Sequence, residues 1–165
     1  MMAERVDSRW IPYGRAGIDA TVRRMVELAR TPDPAVANAA WQINASVPPP
    51  RRAMALRAWI EAHFVYGEDP WGGEVLQTPG RMIRQVNERG YAIGDCDCVA
   101  TLTAALALAL GIPAAYVLVS RPGADPHHVY VVLGTENGWY PVDPTPGPRD
   151  PAHNLELVSL PLVEV

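Results

Sequence analysis

The chain has 165 residues, 48% of them hydrophobic, a formal net charge of -4 and a pI of about 5.5. That length and apolar content support one well-buried core and hence one domain over residues 1–165. The acidic balance leaves no broad cationic field, which argues against nucleic acid and anionic lipid as partners.

All fourteen basic residues are Arg, which with the many Ala and Pro speaks of GC-rich coding rather than of a binding role. Residues 1–10 carry charges and no apolar signal-like core, and no stretch approaches the length of a membrane span. Cys96 and Cys98 are too few for a disulfide framework, and one intervening residue would strain a bond between them. A cytoplasmic location with reduced thiols is the expectation.

In chain order, the first half, residues 1–90, reads as helical. Ile18, Val22, Met25 and Val26 recur at helical spacing. Asp33-Pro34 supplies an N-cap and a first-turn proline for a second helix running to Ala45. After Pro48-Pro49-Pro50, Leu56, Trp59, Ile60 and His63 share one face of a third helix, with Gly67 as its expected end. Residues 66–77 have no sustained period and read as a loop. Thr78-Pro79 then caps a short fourth helix, with Met82, Ile83 and Val86 as its stripe and Gly90 as its stop.

In residues 91–145, Asp95 can cap a helix that begins at Cys96 and carries Val99, Leu102, Leu106 and Leu110 at helical spacing, ended by Gly111 and Pro113. Ala114 to Val119 and His127 to Leu133 read as strands, and Asn137-Gly138 is a hairpin signal into Trp139 to Val142. The last two strands should pair antiparallel. Residues 146–165 read as a Pro-rich tail over the surface.

This order places chemistry-bearing residues in a recognisable sequence. A thiol nucleophile must be ionised to attack an acyl carbon, and a helix N-terminus favours the thiolate. Cys96 occupies that position, but the flanking Asp95 and Asp97 add negative charge, so a cationic His partner is needed. Strand alternation turns His128, Tyr130 and Val132 one way and His127, Val129 and Val131 the other, so only one histidine can face the thiol. Asp143 ends the strand that follows the turn and can fix the imidazole's tautomer.

The run Gly94-Asp95-Cys96-Asp97, then a helix ending Ala109-Leu110-Gly111-Ile112-Pro113-Ala114, then His128-Val129-Tyr130-Val131, then Trp139-Tyr140-Pro141-Val142-Asp143-Pro144-Thr145, resembles the transglutaminase-like superfamily. The resemblance spans roughly residues 64–145. It implies an α+β, papain-like fold: N-terminal helices, with a Cys-bearing core helix packed on a mainly antiparallel sheet. It implies Cys96 as nucleophile, His128 rather than His127 as base, and Asp143 as orienting acid. Short phage and prophage proteins of this group are similar too, which adds a virion component, with other virion proteins as partners, to the expectations. Two positions depart from the commoner pattern: Cys98 stands where an Asp is usual, and Tyr130 where a Trp is usual.

The function implied is thiol-dependent acyl transfer on a protein or peptide substrate, as a cysteine peptidase or amidase acting on peptide or isopeptide bonds, or with an amine acceptor as a crosslinking enzyme. The alternative class is a structural or binding module that keeps the fold with little turnover. No cofactor or metal is expected. A zinc site built from Cys96, Cys98 and a histidine is the sharper rival, but structural zinc wants four converging ligands and adjacent strand histidines diverge. Cys98, about 200° round the helix from Cys96, reads as core packing. The Cys96 backbone N–H can donate to an oxyanion, and Trp71, Gln77 and Asn87 are the upstream candidates for a second donor.

Overall fold

A computed structural model describes residues 7–9, 15–68, 74–145 and 152–161. Helices α1 (Arg15–Arg30), α2 (Pro34–Asn44) and α3 (Arg52–His63) lead the chain, the last entered through a 3-10 turn at Pro49–Arg51. The local signals act as expected. The Asp33 carboxylate accepts from the Ala35 N–H at 2.8 Å with Pro34 in the first turn of α2. In α4 (Pro79–Arg89) the Thr78 hydroxyl accepts from the Arg81 N–H at 3.3 Å. Gly90, at φ 89°, closes α4 in the left-handed conformation that favours glycine.

Helix α3 stops at His63, four residues before Gly67, because Phe64–Tyr66 turns extended as β2 and pairs in parallel with β4 (Ala92–Gly94). Aromatic and β-branched residues there favour the strand over another helical turn. The stretch read as a loop also contains β3 (Glu74–Leu76), paired with β1 (Asp7–Arg9). Trp71 lies outside the described residues.

The centre of the molecule is α5 (Cys96–Ala109), in which every residue from Asp97 to Leu108 is buried. Val99, Leu102, Leu106 and Leu110 are the large apolar residues at helical spacing. Ala and Thr fill the remaining faces, so the helix is enclosed all round, with α1, α2, α3 and α4 against it as well as strands β5 and β6. The buried hydroxyls of Thr101 and Thr103 are satisfied by the carbonyls of Asp97 and Val99, each at 2.7 Å.

Strands β5 (Ala114–Ser120), β6 (Pro126–Thr135), β7 (Gly138–Val142) and β8 (Asn154–Leu160) form an antiparallel sheet in the order β7-β6-β5-β8. Alternation divides its faces. Tyr116, Leu118, Val129, Val131 and Leu133 join the main core, while Ala115, Val117 and Val132 form a second small cluster with Tyr130 on the opposite face. Strand β8 lies in what read as a tail. Its whole length, from Ser120↔Asn154 to Ala114↔Leu160, ladders onto β5, and Arg15 at the start of α1 holds its Glu156 at 2.8 Å. No helix among the described residues is long and apolar enough to cross a membrane.

Candidate active site

Asp95, with extended backbone at φ -97°, ψ -164°, caps α5, and its carboxylate accepts from the Cys98 N–H at 3.4 Å. This sets Cys96 as the first helical residue, where the positive end of the macrodipole acts on its thiol. Cys96 is half-buried and not disulfide-bonded. Cys98 faces elsewhere. Its buried thiol donates to the Val75 carbonyl at 3.1 Å and accepts from the Gln77 N–H at 3.4 Å. Burial, followed by the charges of Asp97 and Asp95, pushes its pKa far up, so it stays a protonated core group.

The structure brings His128 and Asp143 together. Nε2 of His128, on β6, lies 2.9 Å from Oδ2 of Asp143, the residue directly after β7, where Val131↔Val142 fixes the register. Of the two ring nitrogens, Nε2 is thereby the one engaged by the carboxylate. Burial alone would raise the Asp143 pKa, but hydrogen bonds from His128 and Thr145 outweigh it and hold the carboxyl below its usual range. The His128 ring is half-buried and stacks beside Tyr130 at 6.2 Å between centroids. His127 is exposed and meets the His153 ring edge-on at 5.0 Å. Helix α5, which carries Cys96 at its first position, packs against the strand that carries His128.

Two further features border these residues. Thr145 donates its hydroxyl to Oδ1 of Asp143 at 2.6 Å, a contact that the Asp-x-Thr spacing could have signalled as a side-chain turn. Gln77 lies beside the entry to α5: its Nε2 donates to the Ile93 carbonyl at 2.7 Å, and its Oε1 accepts from Gln85 at 2.6 Å. Asn87 is exposed near the end of α4. His63 belongs to its own helix, stacked on Trp59 with Nδ1 2.8 Å from the Trp59 carbonyl.

The zinc alternative combined Cys96, Cys98 and a histidine. Among the described residues, the metal-ligating atoms that converge within 4.8 Å are those of Asp95, Asp97 and Cys98, a set that includes neither Cys96 nor a histidine. Two carboxylates and a thiol whose ionisation is suppressed do not make the tetrahedral N/S set that zinc prefers.

The fold and motifs can be compared with known proteins. The chain is similar in structure to a protein proposed to be a protease from Parabacteroides distasonis ATCC 8503, with a TM-score of 0.66 and 14% identity over 96% of this chain and 34% of that one. It thus spans about a third of that protein's length. A protein proposed to be a cysteine protease from Cytophaga hutchinsonii matches with a TM-score of 0.48 and 15% identity, over 86% of this chain and 58% of that one. No curated protein matches in sequence. The family model of the transglutaminase-like superfamily matches residues 37–144, from within α2, through the Cys-bearing helix, to the residue after Asp143. With well over half its length matched, and its central helix, antiparallel sheet and His–Asp pair as described, the chain belongs to the transglutaminase-like superfamily.

Proposed function

We propose that this protein is a thiol-dependent acyl-transfer enzyme, a cysteine peptidase or amidase acting on a peptide or isopeptide bond, with Cys96 as nucleophile, His128 as general base and Asp143 as orienting acid. The observation that carries the reading is the His128–Asp143 contact at 2.9 Å through Nε2, which leaves Nδ1 for the thiol proton. In the proposed sequence, the Cys96 thiolate attacks the carbonyl carbon and the electron pair moves to oxygen. Collapse expels the amine, which takes a proton from the His128 imidazolium. Water, deprotonated by His128, then attacks the thioester, releasing the acid and the Cys96 thiol. An amine in place of that water would give crosslinking through the same acyl-enzyme.

Developing oxyanion charge needs preorganised donors. The Cys96 backbone N–H at the start of α5 is one. Gln77 is the second in this reading, because its amide commits one N–H to Ile93 while Gln85 anchors its oxygen, so the other N–H is held beside Gly94. The similarity to the Parabacteroides distasonis protein supports a peptide or protein substrate.

Mass spectrometry after brief exposure to a thiol-reactive probe at neutral pH tests the assignment. Selective labelling of Cys96, lost in Cys96→Ala and strongly slowed in His128→Ala, is the expected result. Equal labelling of Cys96 and Cys98, or none without denaturant, would remove the nucleophile from the proposal.

A further inference from the structure

We infer that Thr145 is a positioning residue that fixes the tautomer of His128, keeping the proton on Nε2 so that Nδ1 retains its lone pair. The inference rests on the proposed Cys96–His128–Asp143 triad and adds a fourth member to it.

Three contacts define the arrangement. Thr145 Oγ1 donates to Asp143 Oδ1 at 2.6 Å, the Thr145 backbone N–H reaches the same oxygen at 3.3 Å, and Oγ1 lies 3.3 Å from His128 Nε2. A threonine hydroxyl has a single proton. Because that proton is committed to a carboxylate, Oγ1 offers Nε2 only lone pairs. Oδ2 of the ionised Asp143, 2.9 Å from the same nitrogen, also offers only lone pairs. Nε2 is therefore flanked by two acceptors and must carry hydrogen, which it shares between them.

The converse tautomer, with hydrogen on Nδ1, would need a donor at Nε2. Thr145 could supply one only by turning its hydroxyl away from the carboxylate, and a charge-assisted bond is about twice as strong as a neutral one. The hydroxyl thus works in one direction. It also anchors Oδ1 together with the backbone N–H, so the carboxylate cannot rotate Oδ2 off the ring. Pro144, with φ fixed by its ring, joins the two residues in this short side-chain turn. Thr145 contributes to the low pKa of Asp143, after burial, which opposes it, and the bond from His128.

Histidine ¹⁵N spectra of the full chain, recorded where the imidazole is neutral, read the tautomer directly. The parent should show His128 as the Nε2–H form. Thr145→Val keeps the shape and removes the hydroxyl, and should shift the tautomer ratio toward Nδ1–H and slow Cys96 alkylation by about tenfold, the scale of one lost hydrogen bond to a charged group. Thr145→Ser should restore both readouts to within about twofold of the parent, since it keeps the donor. A Thr145→Val protein with an unchanged tautomer, or a Thr145→Ser protein no better than Thr145→Val, would overturn the inference. The spectra do not depend on thiol reactivity, so an unreactive Cys96 in the parent protein would instead defeat the enzymatic reading. If Thr145→Val melts early, the serine variant alone decides the matter: loss of the Nε2–H form with the hydroxyl retained would refute the role.

Discussion

Replacing Gly94 with alanine probes how tightly the helix that carries Cys96 is seated. A Cβ at this position would lie 2.7 Å from the Cβ of Cys98, 3.4 Å from its Sγ and 3.5 Å from Nε2 of Gln77. Carbon atoms rest at about 3.5–4.0 Å, so the first contact is short by roughly 1 Å. Cys98 Cβ is one bond from the backbone of α5 and cannot swing aside, so strand β4 and the first turn of the helix must separate. Overpacking of this kind costs about 1–3 kcal/mol, and a displacement of about 1 Å at a reacting group costs on the order of a hundredfold in rate. Gly67→Ala is the control: its Cβ would meet Ile93 Cγ2, the branch methyl of an exposed side chain, which a change of χ1 can move aside. Thermal melting and the rate of Cys96 alkylation, measured for both variants, check the argument. Gly94→Ala should lose several degrees and most of its thiol reactivity, whereas Gly67→Ala should stay near the parent in both. Parental melting and reactivity in Gly94→Ala would show that the first turn of α5 has slack and that the contact does not position Cys96.

Asp143→Asn should lower neutral-pH melting modestly, by the stabilisation that the depressed Asp143 pKa represents, while lowering Cys96 reactivity and raising its pH midpoint, because a less stabilised imidazolium supports the thiolate less well. Since the folded pKa of Asp143 lies below its unfolded value, its contribution to stability is present above about pH 4 and disappears as pH falls through the folded value, so acid unfolding of Asp143→Asn should be less steep there. Burial raises the pKa of Cys98, so above about pH 8.5 only the unfolded chain releases this proton and stability falls by about 1.4 kcal/mol per pH unit. Cys98→Ser keeps a group that can bond Val75 and Gln77 but does not ionise, and urea unfolding between pH 7 and 10 should show a shallower alkaline decline; an equal decline in both proteins would place the titrating group elsewhere.

What could be read from the sequence was whatever is encoded locally. Asp33-Pro34, Thr78-Pro79 and Asp95 announce helix starts because the capping side chain and its backbone partner lie within three residues of each other. Asn137-Gly138 marks the β6–β7 hairpin for the same reason, with Gly138 at φ 101°. Pairings across long separations were not legible. β2 meets β4 across the whole of α4, and β8 joins β5 after the chain has already formed two other strands. The enclosure of α5 was also hidden, since Ala and Thr carry no strong periodic signal and reveal their burial only when neighbours surround them. Around the site, the thiol, the histidine and the acid stood out by residue type and order, whereas Thr145 and Gln77 are ordinary residues whose interest comes from what the fold sets beside them.

Among the described residues strand β7 is laddered on one side, to β6, so the carboxylate that follows it is indexed to His128 by the β6–β7 turn. Thr135↔Gly138 is the innermost rung, and counting out from it determines which residue stands opposite Val131 and which way Asp143 points. Side chains alternate with a period of two, so a slip of one residue would turn Asp143 to the other face of the sheet, away from the imidazole. The turn therefore acts as a parity device for the His128–Asp143 contact several residues away. Length changes that shift the ladder by one position should silence the site while leaving a folded sheet, and shifts of two should return a carboxylate to the correct face but one rung out of place.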